Sequence, residues 1–182
     1  MAGPPRDIAD AVDRLSRLLR ARAQVSGLNP AQWAALRYLA RANALSRTPG
    51  AVTGYLGATK GTVSQTLLSL ARKGLISRRR DPADARTVRL EVTEEGARLV
   101  RRDPLQDVEA AAAALGGEAA VLAGLLAALT GELAELGDDA RFGSCASCAN
   151  ARPDGPSLYC VRFDADIAPG DRDLLCAGYM AG

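Results

Sequence analysis

Histidine is absent from all 182 residues of this chain, and aromatic residues make up only 4% of it. Without imidazole, serine–histidine and cysteine–histidine catalysis are excluded, and so is a zinc site that uses histidine. The few aromatic residues leave little material for a large phenolic pocket, and we expect Trp33 and Tyr38 in the core. Together with the motifs below, these absences predict that the chain is not an enzyme.

Long unbroken apolar runs are also absent from the sequence. The first twenty residues contain no uncharged apolar stretch of the kind found in signal peptides, and the most apolar region, residues 121–136, is interrupted by Gly124, Gly131 and Glu132. We therefore expect a soluble, cytoplasmic protein with no membrane association. In a reducing cytosol, cysteines are metal ligands or redox sensors more often than structural disulfides.

Charge is distributed unevenly along the chain, whose net charge is only +2. Residues 59–102 contain eleven Lys/Arg and five Asp/Glu, which gives a local charge of +6. The rest of the chain contains twelve Lys/Arg and sixteen Asp/Glu and therefore carries −4. Such a basic segment is typical of a surface that contacts nucleic-acid phosphates. The alternative for a run such as Arg78–Arg80 is a merely solvated face.

Residues 52–76 have the apolar spacing of two short amphipathic helices. The apolar positions, at spacings of four, seven, four and three, are Val52, Leu56, Val63, Leu67 and Leu70. We expect Gly57 to take the left-handed conformation that ends the first helix, and Thr59 to cap the second. The second helix should run to Lys73 and stop at Gly74. This pattern predicts a helix-turn-helix.

After Gly74 the apolar period changes from 3.6 to 2, which predicts a β-hairpin. Its two strands would be joined by a polar turn that contains Pro82. In the second strand, the alternation places Val88, Leu90 and Val92 on one face and Thr87, Arg89 and Glu91 on the other. A helix-turn-helix followed by a basic hairpin is a winged helix-turn-helix.

Helices are predicted on both sides of this unit. After a frayed start over residues 1–5, an amphipathic helix ends near Gly27, and Asn29-Pro30 caps and starts another. Residues 48–50, Thr-Pro-Gly, are interpreted as a turn. Beyond the hairpin, Thr93 caps a long helix.

Pro104 should kink that long helix or divide it in two. Gly116-Gly117 then separates it from a last helix with a surplus of apolar residues. These are Val121, Leu122, Leu125, Leu126, Leu129, Leu133 and Leu136. We expect the terminal helices and the first helix to form a dimer core, because a symmetric operator requires two recognition helices about one DNA turn apart. The alternative is that the surplus packs within one chain.

The expected fold is therefore mainly α with a small β-hairpin wing, a helical dimerisation region and an irregular cysteine-rich C-terminal extension. The predicted domains are residues 1–28 (N-terminal dimerisation helix), 29–93 (winged helix-turn-helix), 94–136 (C-terminal dimerisation helices) and 137–182 (cysteine-rich extension).

The order of these elements, together with the hairpin sequence, resembles the MarR family of dimeric bacterial transcriptional regulators. The family's wing motif, Asp-x-Arg followed by Leu-x-x-Thr or a close variant, is matched by Asp84, Arg86, Leu90 and Thr93. The Gly-Leu-Ile that leaves the recognition helix is matched by residues 74–76. The resemblance covers residues 8–136. It implies that the chain forms a homodimer, binds a pseudo-palindromic operator and acts as a repressor.

The resemblance also implies where DNA would be contacted. The second helix of the motif would enter the major groove and the wing arginine the adjacent minor groove, with Asp84 orienting Arg86. Including the basic strand, the expected DNA-binding residues are Thr59, Lys60, Thr62, Ser64, Gln65, Arg78, Arg80, Asp84 and Arg86. Gln65 can read adenine bidentately, and a narrow minor groove attracts arginine. A second interpretation is an adaptor whose winged helix binds a protein.

The four cysteines fall in the extension, which has many Pro and Gly residues and little apolar sequence to bury. Their spacing is Cys145-x2-Cys148-x11-Cys160-x15-Cys176. Four thiolates without histidine suit tetrahedral Zn(II) and equally an iron–sulfur cluster. The absence of a second Cys-x2-Cys pair favours the cluster over zinc. Isolated buried cysteines and thiols that oxidise to disulfides are further alternatives.

A four-cysteine centre that orders the extension could gate DNA binding by changing the spacing of the two recognition helices. Other hypotheses remain. The cysteines could form a structural zinc site in a regulator that responds to an as yet unknown small-molecule effector or to thiol oxidation. A thiol oxidoreductase built on Cys145 and Cys148 is disfavoured, because no thioredoxin-like βαβ pattern surrounds the pair.

Overall fold

The computed structural model describes residues 3–23, 27–81, 86–137, 142–155 and 157–181. The helices are α1 (Pro4–Ala23), α2 (Pro30–Arg41), α3 (Pro49–Leu56), α4 (Lys60–Arg72), α5 (Glu94–Val100), α6 (Leu105–Ala113) and α7 (Glu118–Gly137). The strands are β1 (Ile76–Arg80), β2 (Val88–Val92), β3 (Gly143–Ser144), β4 (Ala151–Asp154), β5 (Ser157–Cys160), β6 (Ala165–Ile167) and β7 (Leu175–Cys176). The chain is mainly helical with small antiparallel sheets, which confirms the expected fold class.

Side-chain caps set the beginnings of the helices around the winged-helix unit. Asn29 and Gln32 form a reciprocal capping box at the start of α2. Thr48 caps α3 with Pro49 at the first helical position, so the predicted turn over residues 48–50 is wrong. The predicted frayed start is also wrong at Pro4, where α1 already begins.

The turn between α3 and α4 is formed as expected. Gly57 has φ 56°, the left-handed conformation, and ends α3. The Thr59 side chain accepts the backbone N–H of Thr62 and caps α4. Lys73 is the C-cap of α4, and Gly74 follows with φ 70°. These local signals fix where α3 and α4 begin and end, while the packing of Val63, Leu67 and Leu70 into the core sets the orientation of α4.

The wing is a two-stranded antiparallel hairpin of β1 and β2. Its register pairs Ile76 with Val92, Arg78 with Leu90 and Arg80 with Val88. Side chains directly opposite each other project to the same face of a sheet, so Arg78 and Arg80 share the face of the apolar β2 residues. Leu90 is fully buried, whereas both arginines are exposed, so the hairpin extends from the core toward solvent.

The core of the winged-helix unit lies between α2, α3, α4 and the hairpin. Its fully buried large apolar side chains are Trp33, Leu36, Tyr38, Leu39, Val52, Val63, Leu67, Leu70 and Leu90. Trp33 and Tyr38 are thus core residues, as predicted. Trp33 Nε1 donates to the Ala23 carbonyl at 3.2 Å and joins the end of α1 to α2. Arg37 forms a two-contact ion pair with Asp103 that fixes the end of α5 against α2.

The helices after the hairpin are separated where the sequence predicted. Thr93 caps α5, Pro104 stands at the start of α6, and Gly116 has φ 59° before α7. Helix α7 has no buried residue in this single chain. In the part of the chain that the structure describes, it is also long and apolar enough to cross a membrane by length and composition. Length and composition do not distinguish a membrane-spanning helix from an apolar helix that packs against another protein chain.

The extension contains more regular structure than its composition suggested. Strands β4, β5 and β6 form an antiparallel sheet, and β3 pairs with β7. The extension packs on the winged-helix unit at the end of α2, where Leu175 forms a parallel bridge with Ala42. Phe142 adds edge-to-face contacts with Tyr38 and Tyr55, at centroid distances of 5.7 and 5.2 Å.

Candidate nucleic-acid interface and cysteine cluster

Helix α4 divides into a buried apolar face and an exposed polar face. Val63, Thr66, Leu67 and Leu70 are buried against the core. The five residues of this region expected to contact DNA are all exposed, namely Thr59, Lys60, Thr62, Ser64 and Gln65. Helix α4 contains no Asp or Glu, so the charged groups on its exposed face are all cationic, although Leu68 is exposed there as well. Such a face can donate to phosphates and to the edges of bases.

The wing adds a row of exposed arginines. Arg79 pairs with Glu91 at 3.6 Å, whereas Arg78 and Arg80 form no ion pair with the residues that the structure describes. Arg86 is also exposed. Its expected partner Asp84 lies outside the described residues. Among the described residues of the wing, no acidic side chain pairs with Arg78 or Arg80, so both are available to contact phosphates.

Another wing arginine, Arg89, has a role that the sequence did not reveal. Its side chain is partly buried, donates to the carbonyls of Ala44 and Leu45 at 3.1 and 3.2 Å, and pairs with Asp81 at 2.5 Å. The backbone N–H of Leu90 donates to the Arg47 carbonyl at 2.8 Å. The alternation of the strand predicted that Arg89 lies on the polar face, but it did not indicate these partners. The two carbonyl groups are more than forty residues from Arg89 in the sequence.

Three of the four cysteines lie in one buried cluster of the extension. Cys145, Cys160 and Cys176 are buried together with Ile167, and Cys148 is half-buried. The described cysteines are all free thiols. The sheets provide this arrangement, because Cys176 lies on β7 and Cys160 ends β5, while a short 3-10 turn contains Cys145.

Backbone and side-chain N–H groups point at two of the sulfurs. Asn43 Nδ2, from the winged-helix unit, donates to Cys145 Sγ at 3.6 Å, and the Met180 backbone N–H donates to Cys148 Sγ at 3.5 Å. Donation to sulfur favours a thiolate, as a metal ligand requires. The sequence could not indicate Asn43, which is 102 residues from Cys145.

The other three cysteines act electrostatically on the Cys145 thiol. Burial raises the pKa of the Cys145 thiol to about 11, and Cys176, then Cys160 and Cys148, add to the rise, while the Asn43 hydrogen bond opposes it. Within the described ranges, no group of three or more His, Cys, Asp or Glu side chains is close enough to hold a metal ion as it stands. The electrostatic effect on Cys145 does not require the sulfurs to be at metal-binding distance. Charges interact over longer distances than the roughly 2.3 Å of a metal–sulfur bond.

An open cleft of about 900 Å³ lies between α3, α7 and the extension. Tyr55, Phe142 and Tyr179 line it together with Arg41 and apolar residues of α7. Three of the seven aromatic residues are thus gathered at one open cleft, which the small number of aromatic residues in the sequence did not make evident. The sequence could not show this, because the three residues come from distant segments.

Comparison with known proteins bears on the winged-helix part of the chain. Residues 26–87 match the sequence model of the MarR family. The chain is 38% identical over 95 residues to Mb0904, an uncharacterized HTH-type transcriptional regulator of Mycobacterium bovis, and to the Mycobacterium tuberculosis regulator MT0903.1. The match spans 52% of this chain and 65% of each relative.

Solved structures share the fold. The structure of the S. aureus MepR–DNA complex matches with a TM-score of 0.58 at 22% identity, over 75% of this chain and 99% of that one. CouR from Rhodococcus jostii RHA1, bound to p-coumaroyl-CoA, matches with a TM-score of 0.56 at 24% identity, over 71% of this chain and 93% of CouR. At these identities the likeness establishes the winged-helix fold.

Proposed function

We propose that this chain is a transcriptional regulator of the MarR family that binds a pseudo-palindromic operator as a homodimer and acts as a repressor. One observation carries the proposal. Every described residue among the nine expected DNA contacts is exposed, on α4 or on the wing. The family match over residues 26–87 supports the same function.

The chemistry of these residues suits the two grooves of DNA. Gln65 offers an amide that can pair with the N6 and N7 of adenine, and the α4 hydroxyls can donate to phosphates. Arg78, Arg80 and Arg86 would contact the backbone and the narrow minor groove beside it.

The dimer is proposed from two uncovered apolar helix faces. Large apolar side chains that are exposed in the single chain are Ile8, Val12, Leu15 and Leu18 on α1, and Val121, Leu122, Leu125, Leu126, Leu133 and Leu136 on α7. Exposed apolar side chains that form a contiguous patch mark interaction surfaces, so we infer that these two helix faces are covered in an assembly. A second copy would cover it and present the second recognition helix.

Two measurements test the regulator. A duplex is selected by the full chain from a random pool, and its affinity is measured across a range of salt concentrations. We expect a palindromic consensus, a steep inverse salt dependence and a dimeric mass in solution. Leu125→Glu should give monomers with weakened binding, whereas the exposed Arg152→Glu in the extension should remain dimeric. A monomeric wild-type protein that selects no sequence would refute the proposal.

We further propose that Cys145, Cys148, Cys160 and Cys176 bind a metal centre, an iron–sulfur cluster or Zn(II), that orders the extension and gates DNA binding. The buried grouping of three sulfurs and the two N–H donors directed at sulfur support a centre. Four thiolates would supply a complete tetrahedral ligand set.

Metal and acid-labile sulfide analysis of anaerobically purified protein separates the centres. Iron with sulfide and broad visible absorption supports the cluster, and stoichiometric zinc without sulfide supports the zinc site. Cys145→Ser should lose the metal and change operator affinity. Unchanged affinity with the metal lost would leave a structural role only, and protein that binds neither metal would refute the centre.

A small-molecule effector is a second candidate for the regulatory input, because the cleft between α3, α7 and the extension has the size and aromatic lining of a ligand site. CouR, which shares the fold, is bound to p-coumaroyl-CoA. Arg41 at the cleft would favour an anionic ligand. A screen of aromatic acids for operator release, with Arg41→Ala as the insensitive variant, tests this input.

A further inference from the structure

We propose that residues 43–47, which join α2 to α3, couple the cysteine centre to the wing, with Asn43 as the positioning residue at the sulfur. Metal occupancy would then change DNA affinity through the wing within each protomer. This coupling rests on the cysteine centre and the DNA-binding function proposed above. It differs from a change in the spacing of the two recognition helices, which would act through the dimer interface.

On one side, the segment is bound to the extension by four contacts. The Asn43 backbone N–H donates to the Leu175 carbonyl at 2.9 Å, and the Ala44 N–H donates to Asp171 Oδ2 at 2.9 Å. The Ala177 N–H donates to Ser46 Oγ at 2.9 Å. The fourth contact is the hydrogen bond from Asn43 Nδ2 to Cys145 Sγ. A movement of the cysteine cluster is therefore transmitted directly to this backbone.

On its other side, the same segment holds the wing. The carbonyls of Ala44 and Leu45 accept from Arg89 Nη1, and the Arg47 carbonyl accepts from the Leu90 N–H. Arg89 in turn pairs with Asp81, the residue that follows β1. Its side chain thereby fixes the far end of the wing strands to residues 44–45.

Leu45 provides a second, apolar connection. Its side chain packs against the cysteine cluster of the extension, and its carbonyl receives the wing arginine Arg89. Leu45 thus contacts both the cysteine cluster and the wing. A rearrangement of the cluster that displaces the Leu45 side chain would also displace the acceptor of Arg89.

The side-chain amide of Asn43 is placed to follow the position of the sulfur. Asn43 is 1% exposed, and its Oδ1 has no hydrogen-bond partner among the described residues. Its Nδ2 donates to Cys145 Sγ and its backbone N–H donates to the Leu175 carbonyl, so a shift of that sulfur when metal binds would move Asn43 and the backbone that follows it.

The test is a thermodynamic cycle with the full chain, using Zn(II), or Co(II) as a visible thiolate probe, and the selected duplex. Operator affinity is measured with and without metal, and Co(II) affinity with and without DNA. Linkage requires the two ratios to be equal, and a wild-type ratio of about 5- to 150-fold is expected.

Asn43→Ala should reduce that ratio to about twofold or less while four-thiolate Co(II) absorption is retained, and Asn43→Ser, which can still donate to sulfur, should keep part of it. Arg89→Met removes the contact on the wing side and should reduce the coupling ratio as much as Asn43→Ala does. The double variant should show no further reduction, because both substitutions interrupt the same connection. The matched control is Asn150→Ala, since Asn150 Nδ2 donates to the Gly178 carbonyl within the extension.

The outcomes separate the two proposals. A wild-type protein that binds neither metal would refute the cysteine centre and this coupling with it. Metal binding with a full coupling ratio in both Asn43→Ala and Arg89→Met would refute the coupling alone and leave the centre in place. Arg89 lies on the wing and outside the hydrophobic core, so this arm stays decisive even if Asn43→Ala fails to fold.

Discussion

Arg80 offers the sharpest test of how the wing contacts DNA. It is exposed at the end of β1 and has no ion-pair partner among the described residues, so replacing it with alanine removes a cation that is available to a phosphate. Arg79 provides the matched control in the same strand. Its side chain projects to the opposite face and pairs with Glu91 at 3.6 Å.

The expected magnitude follows from counterion release. Each phosphate contact contributes a slope of about −0.9 to the dependence of log K on log salt concentration. A dimer carries two copies of Arg80, so Arg80→Ala should make the slope shallower by about 1.8. Extrapolated from a 1 M reference, this corresponds to about 30-fold weaker binding near 0.15 M salt, similar for all sequences.

The assay is fluorescence anisotropy with the selected duplex at several salt concentrations, and with an unrelated duplex. Arg80→Ala should lower affinity for both duplexes, whereas Arg79→Ala should change the slope by less than half as much. Equal slope changes for the two variants would show that the effect is one of general charge. An unchanged slope for Arg80→Ala would contradict a wing that contacts phosphates.

Three further predictions concern other parts of the molecule. Gln65→Ala should relax the preference for one adenine by about 1–3 kcal/mol in competition binding, with little change in salt slope; a uniform loss across sequences would count against base reading. A Cβ at Gly96 would lie 2.1 Å from a backbone oxygen, so Gly96→Ala should lower the free energy of unfolding by about 1–3 kcal/mol in urea titrations, whereas Gly50→Ala, with open space around it, should not. In metal-free protein near pH 8, iodoacetamide should modify Cys148 before Cys145, because Cys145 is buried and its raised pKa of about 11 keeps it a neutral thiol; mass spectrometry that finds the reverse order would refute the burial of Cys145.

Local sequence signals predicted the helices and the hairpin well. Asn29, Thr59 and Thr93 cap helices because a side-chain oxygen two or three residues before a free N–H suffices, and Gly57 and Gly74 take conformations that other residues rarely adopt. The start of α3 was missed because Thr-Pro-Gly is equally compatible with a turn and with a cap followed by proline. Only the surrounding chain decides between them.

The exposure of the α4 residues was predictable for a similar reason. A helix that buries Val63, Leu67 and Leu70 at helical spacing must expose its opposite face, which includes Ser64 and Gln65. The period-2 pattern of the wing likewise separated Leu90 from its polar neighbours. These outcomes depend on residues a few positions apart.

The contacts that join the extension to the winged-helix unit could not be predicted from the sequence. Asn43 and Cys145, or Arg89 and Ala44, are brought together by the packing of whole elements, and no local pattern encodes such pairs. The sequence by itself determined where the helices and strands begin and which faces are apolar, because those features follow from backbone sterics and side-chain periodicity. Only the tertiary structure decided that residues 43–47 lie between the cysteine cluster and the wing, because that position results from long-range packing.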